Sequence, residues 1–245
     1  ADRVKDNPII LSRPRRPFSG VDVLTGNFFE SAVVKISGMT TAQLDEFDKK
    51  VAFVLYYENE DDANRSLLDS HLLDTVKRAK RFAEENLRAV LRHNAPHRLE
   101  DWQTLDYDAL FDRMVEEGVL KIAVVISGQG PVAFGMPEMF TPMQHINANR
   151  NLKRLATLIS DGRYSGVTYG AAIGHMTPEA SLGGGILYLE TGDLLYLNLR
   201  DRQIQFVNQA AFRSGRLQFS FEEVKAERAA LADRRLATIR TRQRQ

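Results

Sequence analysis

Three stretches of this 245-residue chain combine residue types that could do chemistry. The first is Ser160-Asp161-Gly162-Arg163-Tyr164-Ser165-Gly166, which follows the apolar run Leu155-Ala156-Thr157-Leu158-Ile159. Small residues after a buried strand let the backbone bend tightly, presenting Ser165 beside peptide N–H groups that can hold an oxyanion. Arg163 stands where the first glycine of a G-x-S-x-G elbow would be, so a hydrolase triad is disfavoured. Taken alone, a serine bounded by glycine more often shapes a turn than performs a reaction. The second stretch is Gly135-Met136-Pro137-Glu138-Met139, where Pro137 puts Glu138 in the first turn of an expected helix. A carboxylate there either complements the helix dipole or ligates a hard cation such as Mg²⁺, which takes one or two protein carboxylates. The third is Gly174-His175-Met176-Thr177-Pro178-Glu179, with Thr177 as expected N-cap and Pro178 as N1. His175 reads first as a satisfied core or loop histidine.

Two of these loops leave strands that must be buried on both faces. Val119-Leu120-Lys121-Ile122-Ala123-Val124-Val125-Ile126 is almost unbroken β-branched sequence and leads into Ser127-Gly128-Gln129-Gly130-Pro131; the 155–159 run leads into the serine loop. Upstream, Val21–Leu24, Ser31–Ile36 and Val51–Tyr57 predict three short strands. Apolar residues at helical spacing from Asp61 to Leu91 predict amphipathic helices ended by Pro96, and a further helix covers Tyr107 to Glu117. Ile186–Leu189 and Leu194–Leu199 around Thr191-Gly192-Asp193, then Gln203–Val207, predict a β-rich stretch with hairpins. Gly183-Gly184-Gly185 is turn sequence, since no G-x-x-x-x-G-K pattern surrounds it. Beyond Phe221 the chain is helical and polar; its terminal arginines read as a solvated helix end, as do His71, His93 and His97, while Trp102 stands as a lone aromatic. Residues 1–20, with Pro8, Pro14 and Pro17 among arginines, read as an extended lead-in or linker.

Composition narrows the function. With 43% hydrophobic and 27% charged residues the chain can build a large core unaided, which excludes disordered and fibrous classes. A formal net charge of +1 gives no field that would attract nucleic acid or an anionic membrane. The absence of cysteine excludes thiol nucleophiles and any iron–sulfur cluster held by this chain. No apolar run reaches membrane-spanning length and no signal pattern opens the chain, so the cytoplasm is the expected compartment. The start at Ala1, without an initiator methionine, suggests a piece of a longer protein.

Taken in order, Gly135–Met139, Ser160–Gly166, Ile173–Ala180 and Gly183-Gly184 resemble the C-terminal domain of the dihydroxy-acid and sugar-acid (6-phosphogluconate, aldonate) dehydratase family. Val23-Leu24-Thr25-Gly26-Asn27 with Ala32–Lys35, and Glu60–Ala63, are similar to that domain in the same order. The resemblance covers about residues 7 to 207. It implies an α/β fold, a swivelling β/β/α domain over residues 21–220 with a compact barrel-like mixed sheet layered with helices. A helical segment at about 71–117 looks inserted, and residues 221–245 form a polar, Arg-rich helix or tail.

The resemblance also implies a hydro-lyase that dehydrates a 2,3-dihydroxy acid, either a sugar acid or a branched-chain precursor, to a 2-keto acid. Ser165 would then be the base that takes the C2 proton and Glu138 a Mg²⁺ ligand, with Asp161, Gly162, Arg163, Gly166 and His175 binding substrate or supporting the loops. A free hydroxyl is too weak a base for a carbon acid, so Ser165 would need activation by metal and oriented N–H donors. The second Lewis acid would be an iron–sulfur cluster on an N-terminal partner domain that this chain lacks, and the family tendency is towards homo-oligomers. Gly128–Phe134 departs from the family's basic, glycine-rich approach to the glutamate, leaving substrate identity open. The alternative is a stand-alone swivelling domain that has lost chemistry and acts as a binding module through its inserted helices.

Overall fold

A computed structural model of the chain describes residues 21–37, 40, 42, 45–135, 138–164 and 170–243. Eight strands form one sheet in the order β1 (Val21–Leu24), β2 (Ser31–Ser37), β6 (Gly170–Thr177), β5 (Ala156–Ser160), β4 (Ile122–Ile126), β3 (Lys50–Tyr57), β7 (Leu194–Asn198), β8 (Gln203–Phe206). The central strands β3, β4, β5 and β6 run parallel, and the flanking pairs are antiparallel. The two edges of the sheet meet. Thr25 bridges Gln203, with its N–H donating to the Arg202 carbonyl and its carbonyl accepting from Ile204, each at 3.0 Å. Gly26 allows this closure, because a Cβ there would lie 2.0 Å from the Ile204 carbonyl oxygen. The Asn27 side chain completes the seam by accepting from the Phe206 N–H and donating to the Phe206 carbonyl. The result is the barrel-like mixed sheet that the resemblance implies.

Both faces of the sheet are covered, which explains the unbroken apolar strands. Ala52, Val54, Ala123, Val125, Ile159, Ile173, Leu195 and Ile204 point into one buried cluster. The alternate residues Phe53, Leu55, Ile122, Val124 and Leu158 pack outward beneath a helical layer. That layer comprises α1 (Glu60–Leu67), α2 (Leu72–Arg78), α3 (Glu84–Asn94), α4 (Leu99–Trp102), α5 (Tyr107–Glu116), α7 (Phe140–Ala148) and α8 (Arg150–Leu155), while the short α6 (Pro131–Phe134) joins the first cluster through Ala133. After β8 come α9 (Gln209–Arg213), α10 (Glu222–Glu227) and α11 (Ala229–Arg242). Among the described residues no helix is long and apolar enough to cross a membrane.

Several sequence expectations need correction. The 119–126 strand begins only at Ile122. The 72–91 periodicity is broken at Ala79–Ala83, where Lys80 adopts φ 46° and turns Phe82 into the core to stack on Phe53 at 4.3 Å. Trp102 is buried, with the Arg98 guanidinium over its ring. His93 is half-buried between Tyr196 and Phe212, not on a solvated face. Ile186–Leu189 is no strand: Gly185–Tyr188 forms a 3₁₀ turn, and the carbonyls of Leu187 and Leu189 accept from Arg235 at 2.5 and 2.7 Å. Arg235 is itself buried, with its guanidinium 3.9 Å from the Tyr56 ring centre, so the last helix docks on the barrel through it and Ile239. Arg234, Arg240 and Arg242 remain on the outer side or partly covered, and the lead-in over residues 1–20 lies outside the described residues.

Candidate functional site

Because β3, β4, β5 and β6 are parallel and in register, their C-terminal ends lie along one rim of the barrel. This is the edge at which open α/β sheets place their ligands. Three of the four loops on it carry the motifs singled out above: Ser127–Gly130 after β4, Ser160–Tyr164 after β5, and Pro178–Gly184 after β6.

Asp161 joins them. It is fully buried, and its carboxylate accepts from Gln129 N–H at 2.9 Å, Gly128 N–H at 3.2 Å and Ala180 N–H at 2.9 Å. Burial pushes its pKa up to about 6, against the opposing pull of the three N–H donors. Gly162 follows with its N–H on Ser160 Oγ at 2.9 Å and its carbonyl accepting from His175 N–H at 2.8 Å. Tyr164 closes the foot of the serine loop by donating its hydroxyl to the Ile173 carbonyl at 3.0 Å. Gly174 is obligatory beneath that ring, since a Cβ there would lie 2.6 Å from a Tyr164 ring carbon.

Arg163 and Glu138 meet at this rim, with Arg163 Nη1 2.6 Å from Glu138 Oε1 and both side chains about two-fifths exposed. Their backbones bridge in parallel, and Met139 N–H donates to the Arg163 carbonyl at 2.8 Å. This pairing corrects the expected helix start at Glu138. Helix α7 begins at Phe140, because the preceding residues pair with the loop after β5. The helix start expected at Thr177 and Pro178 is not there either: Thr177 ends β6 at a cis bond to Pro178, and His175 lies within that strand with φ 52°. Burial, then the Arg163 charge, lowers the His175 pKa, which keeps its imidazole neutral at neutral pH. Ser165 and Gly166 lie outside the described residues, between Tyr164 and the start of β6.

Glu179 is the rim residue whose part the sequence did not disclose. It is buried, caps α6 by accepting from Val132 and Ala133 N–H at 2.9 and 3.0 Å, and also accepts from the Ser181 hydroxyl. The peptide groups it caps lie 46 and 47 positions away, so no local pattern marks that role.

The donors on this rim do not make a metal centre by themselves. Among the described residues no group of three or more histidines or carboxylates is placed to hold an ion, and the chain has no cysteine. Asp161 is engaged by three N–H donors and Glu179 by two N–H groups and a hydroxyl, and Glu138 is one carboxylate paired to a guanidinium. What the rim offers is a rigid loop platform, a neutral imidazole and an arginine–carboxylate pair open to solvent.

Comparison with known proteins agrees with this architecture. The family model described as dihydroxy-acid/6-phosphogluconate dehydratase C-terminal matches residues 77–241, from α2 to α11. A dihydroxy-acid dehydratase of Clostridium novyi is 38% identical over 119 residues, 48% of this chain and 21% of that protein. Those of Caldanaerobacter subterraneus and Archaeoglobus fulgidus are each 38% identical, over 116 and 117 residues, in each case 47% of this chain and 20% of the relative. The aligned segment thus spans about a fifth of the curated relatives it matches. With two-thirds of its length inside the family model, a closed mixed sheet and the ordered rim loops, this chain belongs to the dihydroxy-acid/6-phosphogluconate dehydratase C-terminal family.

Proposed function

We propose that this chain is the C-terminal part of a hydro-lyase that converts a 2,3-dihydroxy carboxylic acid into a 2-keto acid. The carrying observation is the clasp at Asp161, which ties the loops after β4, β5 and β6 together and so fixes the foot of the loop that bears Ser165. Ser165 takes the C2 proton, the C3 hydroxyl leaves as water after protonation, and the resulting enol rearranges to the keto acid. Arg163, held by Glu138, is the cation nearest in sequence to Ser165 and suits the substrate carboxylate.

An N-terminal domain completes the site. It supplies the cysteines for an iron–sulfur cluster, which this chain lacks, and the further donors without which Glu138 cannot hold Mg²⁺. The cluster domain, a hydroxy-acid substrate, a homo-oligomeric assembly and a cytoplasmic setting belong to this reading.

The test is to supply the full-length protein with a panel of aldonic acids and branched-chain 2,3-dihydroxy acids and to follow 2-keto acid release. Turnover of one class supports the reading and names the substrate. A cluster-loaded, folded protein that releases keto acid from none of them overturns it, as would a native polypeptide no longer than this chain.

A further inference from the structure

The opposite rim of the barrel, at the N-terminal ends of β3, β4 and β5, holds a cavity of about 490 Å³ that the dehydration chemistry does not use. Lys50, Lys121 and Arg154, each at or just before one of those strands, line it. Lys121 is only 2% exposed. Its ammonium reaches the Arg154 carbonyl at 3.5 Å and the Glu46 carboxylate at 3.6 Å, both longer than ordinary charged hydrogen bonds. The Phe47 ring lies 4.8 Å away on another side. A buried ammonium with three donors is left with room and need for a further acceptor.

Its neighbours add to the imbalance. Lys50 Nζ donates to the Asn94 carbonyl, Arg154 donates to the carbonyls of Val115 and Glu116, and among the described residues neither forms an ion pair. The other acids of the cavity have arginine partners of their own: Asp45 shares Arg200 with Asp48, and Glu117 pairs with Arg98 at 2.7 Å. Of the three acids that line the cavity with the three cations, only half-exposed Glu46 has no arginine partner among the described residues, and His97 stands at the margin. Like charges gathered around a low-dielectric recess repel unless an anion joins them. The volume suits a small molecule.

We propose that this cavity binds a compact dianion bearing carboxylate or phosphate groups, with Lys121 as its buried contact and Lys50 and Arg154 at its rim. The site lies across the barrel from the catalytic loops and stands independently of the dehydratase reading.

The probes are sulfate for a tetrahedral oxyanion and malonate for a dicarboxylate, titrated calorimetrically into the full chain, with chloride at matched ionic strength as control. Binding of either probe supports the site, and the stronger one tells a phosphate ligand from a carboxylate. The affinity should fall at least about tenfold in Lys121→Met and weaken in Lys50→Gln. Burial foremost, with Lys50 and Arg154 opposing the pull of Glu46, lowers the Lys121 pKa to about 8. Sulfate stays ionised throughout, so its affinity should decline from pH 7.5 to 9.5 in the wild type and stay flat in Lys121→Met. Equal heats for chloride and sulfate, meaning plain screening of the cations, or an unchanged affinity in Lys121→Met, would overturn the proposal.

Discussion

Replacing Lys121 by methionine should stabilise the fold, by an amount that depends on pH in a calculable way. The native ammonium titrates at about 8 against an ordinary 10.5, because burial disfavours the charged form. A lysine whose folded pKa is lowered destabilises the native state fully below that pKa, and the penalty fades as pH rises towards the unfolded value. Between those two values the unfolded chain binds more protons, so stability climbs with pH. The two pKa values give a penalty of about 3 kcal/mol at pH 7.5, falling to about 1.4 kcal/mol at pH 9.5. Methionine keeps an apolar stem of similar length and removes the charge, together with its contact on the Phe47 ring. Urea unfolding of both forms across this range should show the variant more stable at pH 7.5, with its advantage shrinking by about 2 kcal/mol at pH 9.5. The window ends below the titration of unfolded tyrosines, and the difference between the proteins cancels their contribution. An advantage that does not change with pH, or a destabilised variant, would refute the assignment of Lys121 as a poorly compensated buried charge.

Four further outcomes follow from the rim. Asp161→Asn turns an amide N–H₂ either towards the Gln129 N–H or towards those of Gly128 and Ala180 together, and should cost about 3 kcal/mol in a denaturant titration at pH 7.5. Gly174→Ala forces Tyr164 from its place; the expected loss is about 1–3 kcal/mol in the same assay, and near-neutrality would show that the ring moves freely. Arg235→Ala leaves the carbonyls of Leu187 and Leu189 and the Glu58 carboxylate without their donor, so thermal unfolding should occur at a lower temperature by several degrees. Glu138→Gln in the full-length enzyme should weaken Mg²⁺ binding at least about tenfold, and equal affinity would remove Glu138 as a ligand.

What the sequence disclosed and concealed follows one physical division. Strands β4 and β5 were legible because burial on both faces forces continuous apolar sequence, and the loops that follow them were legible because tight turns demand glycine. The closure of the barrel at Thr25 and Gln203 was not, since it depends on the meeting of two distant backbones. Likewise, Asp161 and Glu179 are both acids beside glycine or proline, but their work is to satisfy peptide N–H groups from other loops, which carry no side-chain signature. Glu138 resembled a helix-start carboxylate because Pro137 precedes it; tertiary pairing with Arg163 overrode that local preference. Lys121 was hidden in plain apolar sequence, where a strand reading has no use for a charge. Ile186–Leu189 misled for a related reason: four apolar residues satisfy a buried 3₁₀ turn as well as a strand, and Arg235, far along the chain, decides between them.

The most direct test of the account is 2-keto acid formation by the full-length protein carrying Ser165→Ala, with the native fold verified by circular dichroism. If Ser165 takes the C2 proton, turnover should fall by at least about a thousandfold while the protein stays folded. Turnover within about tenfold of the wild type would contradict the claim that the loop after β5, clasped by Asp161, carries the catalytic base.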